Sequence, residues 1–286
     1  MRIIPLITLL ALIFCSGCSV IKDEVEPRPA YIHIPVNRLT ADSSNQGSSI
    51  SKFTDVWVFA ENNFIGAFEL PANVPILRNG TTNLRIQGGV KVNGTSTVRV
   101  PYPVLSAYST NIDLISGKVD TVSPVYQYST IAKFNWIEDF EKVASSLSTS
   151  ASNTAFVTIT TNKDSVLQGN KSLMVITTPA KEFFSYISIN SYTLQIGKNA
   201  YLELDYRNTV PLEIGIFQVS NSGNTATQKP LLGLNPTNGQ WNKVYINVGT
   251  EIGSNGGSGV IKIYFLATTP EQGYIQLDNI KLISID

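Results

Sequence analysis

A single histidine, His33, stands in a chain of 286 residues, and it limits the chemistry open to this protein. Acyl transfer through a serine nucleophile needs a histidine placed as general base. His33 lies in "YIHIPV" (31–36), where strand alternation puts it on the face of Tyr31 and Pro35, opposite Ile32 and Ile34. No Gly-x-Ser-x-Gly elbow accompanies it. His33 therefore reads as a structural or surface residue, and histidine-built zinc and iron sites drop out with it. Glycoside hydrolysis needs two carboxylates flanking a cleft, roughly 5 to 10 Å apart. Glu138, Asp139, Glu141, Glu203, Asp205, Glu213 and Asp278 fall in the C-terminal half, but their order along the chain brings no two of them across a cleft. Glu203 and Asp205 alternate with Leu202, Leu204 and Tyr206, the pattern of a solvated strand face. The expectation is a protein that is not an enzyme.

Aromatic faces are the other resource, since sugar CH groups pack on rings while hydroxyls meet polar side chains. Phe183, Phe184, Tyr186 and Tyr192 cluster in "KEFFSYISINSY" (181–192). They form the candidate exposed patch, for a glycan or for a protein partner, where aromatic residues are enriched. The alternative is that they belong to a core, because buried aromatics dominate core packing.

The N-terminus addresses location. Arg2 is followed by an apolar run, Ile3 to Phe14, shorter than the roughly 20 residues a bilayer core needs and suited to a signal peptide. Ser16-Gly17-Cys18 resembles a bacterial lipobox, with Cys15 where that pattern prefers leucine. The resemblance implies a lipoprotein signal peptide over 1–17, lipidation of Cys18, and an acidic tether over 18–29. Cleavage would leave one cysteine, and with it no internal disulfide or Cys-ligated zinc. Acyl chains on Cys18 contribute about 0.8 kcal/mol per buried CH2 group. Lys22-Asp23-Glu24 resembles the surface-export signal of Bacteroidota lipoproteins, which implies an outer-membrane protein facing the cell exterior. Asp120-Thr121-Val122 and Asp164-Ser165-Val166 resemble the O-glycosylation pattern of the same bacteria, with Thr121 and Ser165 as acceptors.

Positioning these residues falls to strands. Basic and acidic residues are equal, 21 against 21, which gives no basic stripe for nucleic acid. No long 3.6-period segment follows residue 18; short alternating runs rich in Val, Ile, Thr and Tyr recur between Asn-Gly and Gly-Gly turns. The fold class is all-β, and the length suggests two domains: a small β-sandwich over 30–125 and a second domain over 126–286, joined through Pro124-Val125-Tyr126. In the first, Glu61-Asn62-Asn63 reads as a hairpin turn, and Pro75 as fixing an extended connection before a turn at Asn79-Gly80. The passage "DVWVFAENNFIGAFELPANVPILRNGTTNLRIQGGVKVNG" (55–94) resembles the Ig-like sandwich modules called PEGA. It also resembles a family of Bacteroidota surface lipoproteins of similar length.

In the second domain, "WIEDFE" (136–141), "GNKSLMV" (169–175), "GQWNKVYINV" (239–248) and "YIQLDNIKLI" (274–283) resemble, in order and spacing, the strands of galactose-binding-like jelly rolls of the carbohydrate-binding-module type. That resemblance implies core positions for Trp136 and Trp241. It further implies a structural Ca2+ between Glu141 on the first strand and Asp278 on the last, carboxylates being suited to that hard cation; no other cofactor is expected. Two functions follow as expectations. One is a non-catalytic binding or scaffolding subunit docked to an outer-membrane β-barrel or other lipoproteins. The other is a glycan-binding surface lipoprotein supporting polysaccharide capture.

Overall fold

Alternating apolar side chains draw the N-terminal half into two facing sheets. The computed structural model describes residues 27–220, 226–253 and 257–285, and these contain strands and no helix. The first ten strands are β1 (Ala30–Ile34), β2 (Arg38–Thr40), β3 (Asp55–Ala60), β4 (Asn63–Glu69), β5 (Ala72–Ile76), β6 (Gly80–Lys91), β7 (Arg99–Pro101), β8 (Tyr108–Leu114), β9 (Val119–Thr121) and β10 (Val125–Gln127). One sheet runs β4-β3-β6, with β7 and β8 both on the far edge of β6, and the other runs β5-β1-β9. Ile32, Ile34, Val56, Val58, Val74, Ile76, Leu84 and Ile86 fill the space between them. Strand β10, at the join, pairs in parallel with β2.

The β3–β4 hairpin places Glu61 and Asn62 at φ of 50° and 64°, the backbone that a tight two-residue hairpin turn demands. The segment around Pro75 is more regular than expected: it is β5, paired with β1 in the register Tyr31↔Pro75. β5 is the edge of its sheet, where the missing proline N–H costs no ladder bond.

The second domain comprises β11 (Ala132–Glu138), β12 (Leu147–Thr149), β13 (Phe156–Thr160), β14 (Ser172–Thr177), β15 (Phe183–Ser188), β16 (Tyr192–Thr193), β17 (Ala200–Asn208), β18 (Leu212–Ser220), β19 (Ala226–Leu234), β20 (Asn242–Asn247), β21 (Gly257–Thr268) and β22 (Gly273–Ile285). They form a jelly roll of two antiparallel sheets. One is ordered β13-β14-β22-β17-β20 with β11 also on β22, the other β12-β15-β21-β18-β19 with β16 on β21. Leu202 and Leu204 of β17 meet Ile263 and Phe265 of β21 in the core between them. Each such fully buried side chain is worth about 1.5–3 kcal/mol relative to exposure.

The outer face of the first jelly-roll sheet is where the domains meet. Tyr201, Tyr245 and Ile283 of that face share an apolar cluster with Leu39, Phe53, Val90, Val92, Tyr102 and Tyr126 of the N-terminal side. Backbone bonds stitch the contact: Asn93 N–H donates to the Tyr245 carbonyl at 2.9 Å, and Asn247 N–H to Asn93 Oδ1 at 3.0 Å. In consequence β17 is buried on both faces. The expectation of a solvated face for Glu203 and Asp205 is overturned: both are buried, Glu203 against Tyr102 of the N-terminal domain.

Candidate functional site

The covered half of this sheet face holds a sealed polar network. Glu203, 1% exposed, accepts from Tyr102 Oη at 2.8 Å and from Tyr128 Oη at 3.2 Å. Lys243 Nζ lies 3.7 Å from Glu203 and 3.4 Å from Asp205, and Asn279 Nδ2 donates to Asp205 at 3.0 Å. Lys281 donates to the Ser48 carbonyl and to Tyr128 Oη at 2.9 Å. Tyr128 thus passes one hydrogen bond on to Glu203 while receiving another from Lys281, which leaves each buried charge with a partner. Burial pushes Lys281 down to about 8, with Glu203 opposing. It raises Tyr102 and Tyr245 well above the usual phenol range, and the Glu203 charge adds to both shifts. Asp205 is raised by burial, which the adjacent Lys243 offsets in part. Glu203 bonds across the domain contact through Tyr102, Asp205 ties down Lys243 and Asn279 within the jelly roll, and both are buried.

The residues singled out from the sequence fall in several places. Phe184, Tyr186 and Tyr192 are core residues of the jelly roll, which corrects their reading as an exposed patch. Phe184 and Tyr186 have the same parity in β15 and point inward, and Tyr192 stacks on Trp136 with ring centroids 5.5 Å apart. Only Phe183 of that cluster is partly exposed. Trp136 is buried as expected, its Nε1–H on Ser146 Oγ at 2.8 Å. Trp241, expected in the core, is partly exposed instead. His33 is bonded to Asn73 Oδ1 across the β1–β5 pair at 2.8 Å. Thr121 ends β9 and is exposed, whereas Ser165 is partly buried in the loop before β14. Cys18, Lys22, Asp23 and Glu24 lie outside the described residues.

Glu141 and Asp278 do not fit a shared calcium. Glu141 Oε1 accepts the N–H groups of Asn170 and Lys171 at 2.7 and 2.8 Å. Asp278 accepts from Ser172 Oγ at 2.6 Å and from its neighbour Asn279 N–H at 2.8 Å. The Lys171 ammonium sits on the Glu141 carbonyl at 3.0 Å. Donors already sit on Glu141 Oε1 and on both Asp278 oxygens, and an ammonium on the Glu141 carbonyl, an arrangement suited to hydrogen bonds rather than to a hard metal. Among the described residues no group of three or more His, Cys, Asp or Glu is placed to hold a metal.

The open half of the same sheet face carries the better candidate. Phe156 of β13 lies opposite Ile176 of β14, which lies opposite Tyr274 of β22. In the next row Thr158 faces Met174, Met174 faces Gln276, and Gln276 faces Arg207 of β17. Their chain neighbours Val157, Val175 and Ile275 turn to the core, so alternation directs these rows to the outer face, where Gln276 is fully covered. Phe156 is 57% and Ile176 41% exposed. Phe156 and Tyr274 stand two strand spacings apart, about 10 Å.

Trp241, just before β20, continues the second row, with the Arg207 guanidinium carbon 5.1 Å from its ring centroid. Arg207 also donates to Gln276 Oε1 and to the Asp164 carbonyl. Gln276 Nε2 donates to the Ser165 carbonyl at 3.1 Å, so the 161–168 loop is pinned along this row. A shallow depression of about 600 Å3 lies among Met174, Ile176, Thr209, Gln272 and Tyr274. A more polar cleft of about 330 Å3 opens where the N-terminal domain meets edge strand β20, between Lys52, Asn93, Thr237 and Asn242. Sequence reasoning passed over Phe156, Ile176 and Tyr274. A usable signal existed in "FVTIT" (156–160), where an otherwise polar face of Thr158 and Thr160 begins with a phenylalanine.

No family model and no curated protein matches this chain. Solved structures similar to it include carbohydrate-binding modules of the β-sandwich type. A CBM22-1 xylan-binding domain from Paenibacillus barcinonensis is 13% identical, covers 54% of this chain and 96% of its own, and superposes with a TM-score of 0.41. A family 11 carbohydrate-binding module from Clostridium thermocellum, solved with a β-1,3-1,4-mixed-linked tetrasaccharide, is 17% identical, with coverages of 53% and 94% and a TM-score of 0.37. A further carbohydrate-binding module of the β-sandwich superfamily is 15% identical, with coverages of 80% and 84% and a TM-score of 0.36.

Proposed function

We propose that this protein is a non-catalytic glycan-binding lipoprotein, anchored in the outer membrane through Cys18, exported by way of Lys22-Asp23-Glu24, and presenting the open half of its jelly-roll sheet to polysaccharide. One observation carries the reading. On the outer face Phe156, Tyr274 and Trp241 stand exposed or half-exposed with Arg207, Thr158 and Thr209 beside them, while Gln276 between them is covered by the 161–168 loop. A sugar ring is apolar on its CH faces and polar around its rim, so it fits rings bordered by hydrogen-bonding side chains. The regular sheet holds these groups at fixed spacing before any ligand arrives, which lowers the ordering cost of binding.

Affinity electrophoresis of the detergent-solubilised, full-length protein through gels containing individual polysaccharides tests this. Retardation is expected for the unmodified protein. Tyr274→Ala and Trp241→Ala should each weaken binding about tenfold, the equivalent of about 1.4 kcal/mol, in the range measured for aromatic contacts. Unchanged retardation in both variants would move the site elsewhere. An outer-membrane protein that co-purifies in equal amount with the unmodified protein, and is lost from both variants, would make the face a protein-docking surface instead.

A further inference from the structure

Three cations border the open rows, and neutral groups hold all three. Arg207 rests over Trp241 and donates to the Gln276 amide and the Asp164 carbonyl. The Lys181 ammonium lies 5.8 Å from the Phe156 ring centroid. Lys52, in the cleft beside β20, donates to Asn242 Oδ1 at 2.5 Å. Among the described residues no carboxylate pairs with any of the three, although other charges nearby are matched. Lys243 is paired with Asp205 and Glu203, and Lys91 and Arg99 share Glu69, with Arg99 also on Asp55. The carboxylates of this sheet face, Glu203, Asp205 and Asp278, are all buried. Asp164, Glu182 and Glu271 are exposed near the same rim, but none pairs with Arg207, Lys181 or Lys52, so these three cations keep donors that no carboxylate occupies.

We propose that the polysaccharide taken by this face is anionic, carrying carboxylate or sulfate groups; the proposal rests on the glycan reading above. Arg207 has five N–H donors and spends two on the protein, and Lys52 has three and spends one. A carboxylate or sulfate can accept the remainder, bidentate in the case of arginine. Stacking on Trp241 and Phe156 fixes the cations without neutralising them. Apolar rings would carry the sugar faces, and the cations would select chains with acidic substituents.

The test compares polygalacturonate (carboxylate), dextran sulfate (sulfate) and two neutral chains, xylan and a mixed-linked β-glucan, against the full-length protein in detergent at low salt and at high salt. The anionic chains are expected to bind about tenfold or more tightly than the neutral ones at low salt, with most of that preference lost at high salt, where charges are screened. The more tightly held of the two anionic chains identifies the acid group. Lys52→Ala and Lys181→Ala should each weaken anionic binding about threefold and the double variant about tenfold, while neutral chains are unaffected. Neutral chains bound as tightly as anionic ones, or a preference indifferent to salt, would overturn the charge inference and leave glycan binding standing. Failure of all four polysaccharides would overturn both.

Discussion

Lys281→Met isolates the electrostatics of the domain contact. Lys281 is fully buried, on the outer face of β22 between Ile280 and Leu282, which turn to the core. Its Nζ is satisfied by the Ser48 carbonyl and Tyr128 Oη. Burial displaces it from its ordinary 10.5 to about 8, against Glu203 and Asp205, which favour the charge, and with Lys243, which opposes it. Below pH 8 the lysine is protonated in both states, and the folded state bears the cost of burying that charge. Between about 8 and 10.5 the folded protein releases a proton that the unfolded chain keeps, so raising the pH favours folding. The full displacement is worth on the order of 3 kcal/mol, most of which is expressed between pH 7 and pH 10. Urea unfolding followed by tryptophan fluorescence, extrapolated to water, should show the wild type gaining roughly 2–3 kcal/mol over that interval relative to Lys281→Met. The comparison cancels tyrosines and other lysines common to both proteins. Parallel pH profiles would refute the placement of this ammonium under the N-terminal domain.

Three further outcomes follow from the same contacts. Tyr102→Phe removes a 2.8 Å hydrogen bond to the buried Glu203 carboxylate and should cost about 1.5–3 kcal/mol in urea unfolding; a loss below about 0.5 kcal/mol would mean that the hydroxyl does not join the domains. In Gly89→Ala the new Cβ would land in the ring of Trp57, so a destabilisation of about 1–3 kcal/mol and an altered near-ultraviolet tryptophan signal are expected, and wild-type behaviour in both would argue against that stacking. Thermal unfolding should be indifferent to calcium and to EDTA, because Asn170, Lys171, Ser172 and Asn279 already donate to Glu141 and Asp278; a rise of several degrees with calcium would show that these donors yield to the metal.

The N-terminal domain acts as a partial lid on one jelly-roll sheet. Strands β17, β20 and β22 run beneath it and out into solvent, so one face supplies both the contact that unites the domains and the open rows proposed to bind. The parallel bridge between Val92 and Tyr245 and the aromatic pairs Tyr102–Tyr201 and Tyr102–Tyr245, with centroids 5.1 and 5.0 Å apart, place that boundary firmly.

What the sequence determined by itself was parity. Leu202, Leu204 and Tyr206 alternating with Glu203, Asp205 and Arg207 were enough to mark a strand and its two faces, because successive side chains in a strand point to opposite sides. The same rule made the all-β class and most strands of both domains legible, and Trp136 settled into the core it was assigned. Parity says which residues share a face but not what covers it. Glu203, Asp205 and Arg207 have one parity, yet the first two are buried, Glu203 against Tyr102 of the N-terminal domain, while Arg207 borders the open rows. Phe184 and Tyr186 share parity as well, and only the packing of the second sheet turned that face inward. Tertiary structure decided these cases because burial of a strand face depends on a surface brought to it from a distant part of the chain.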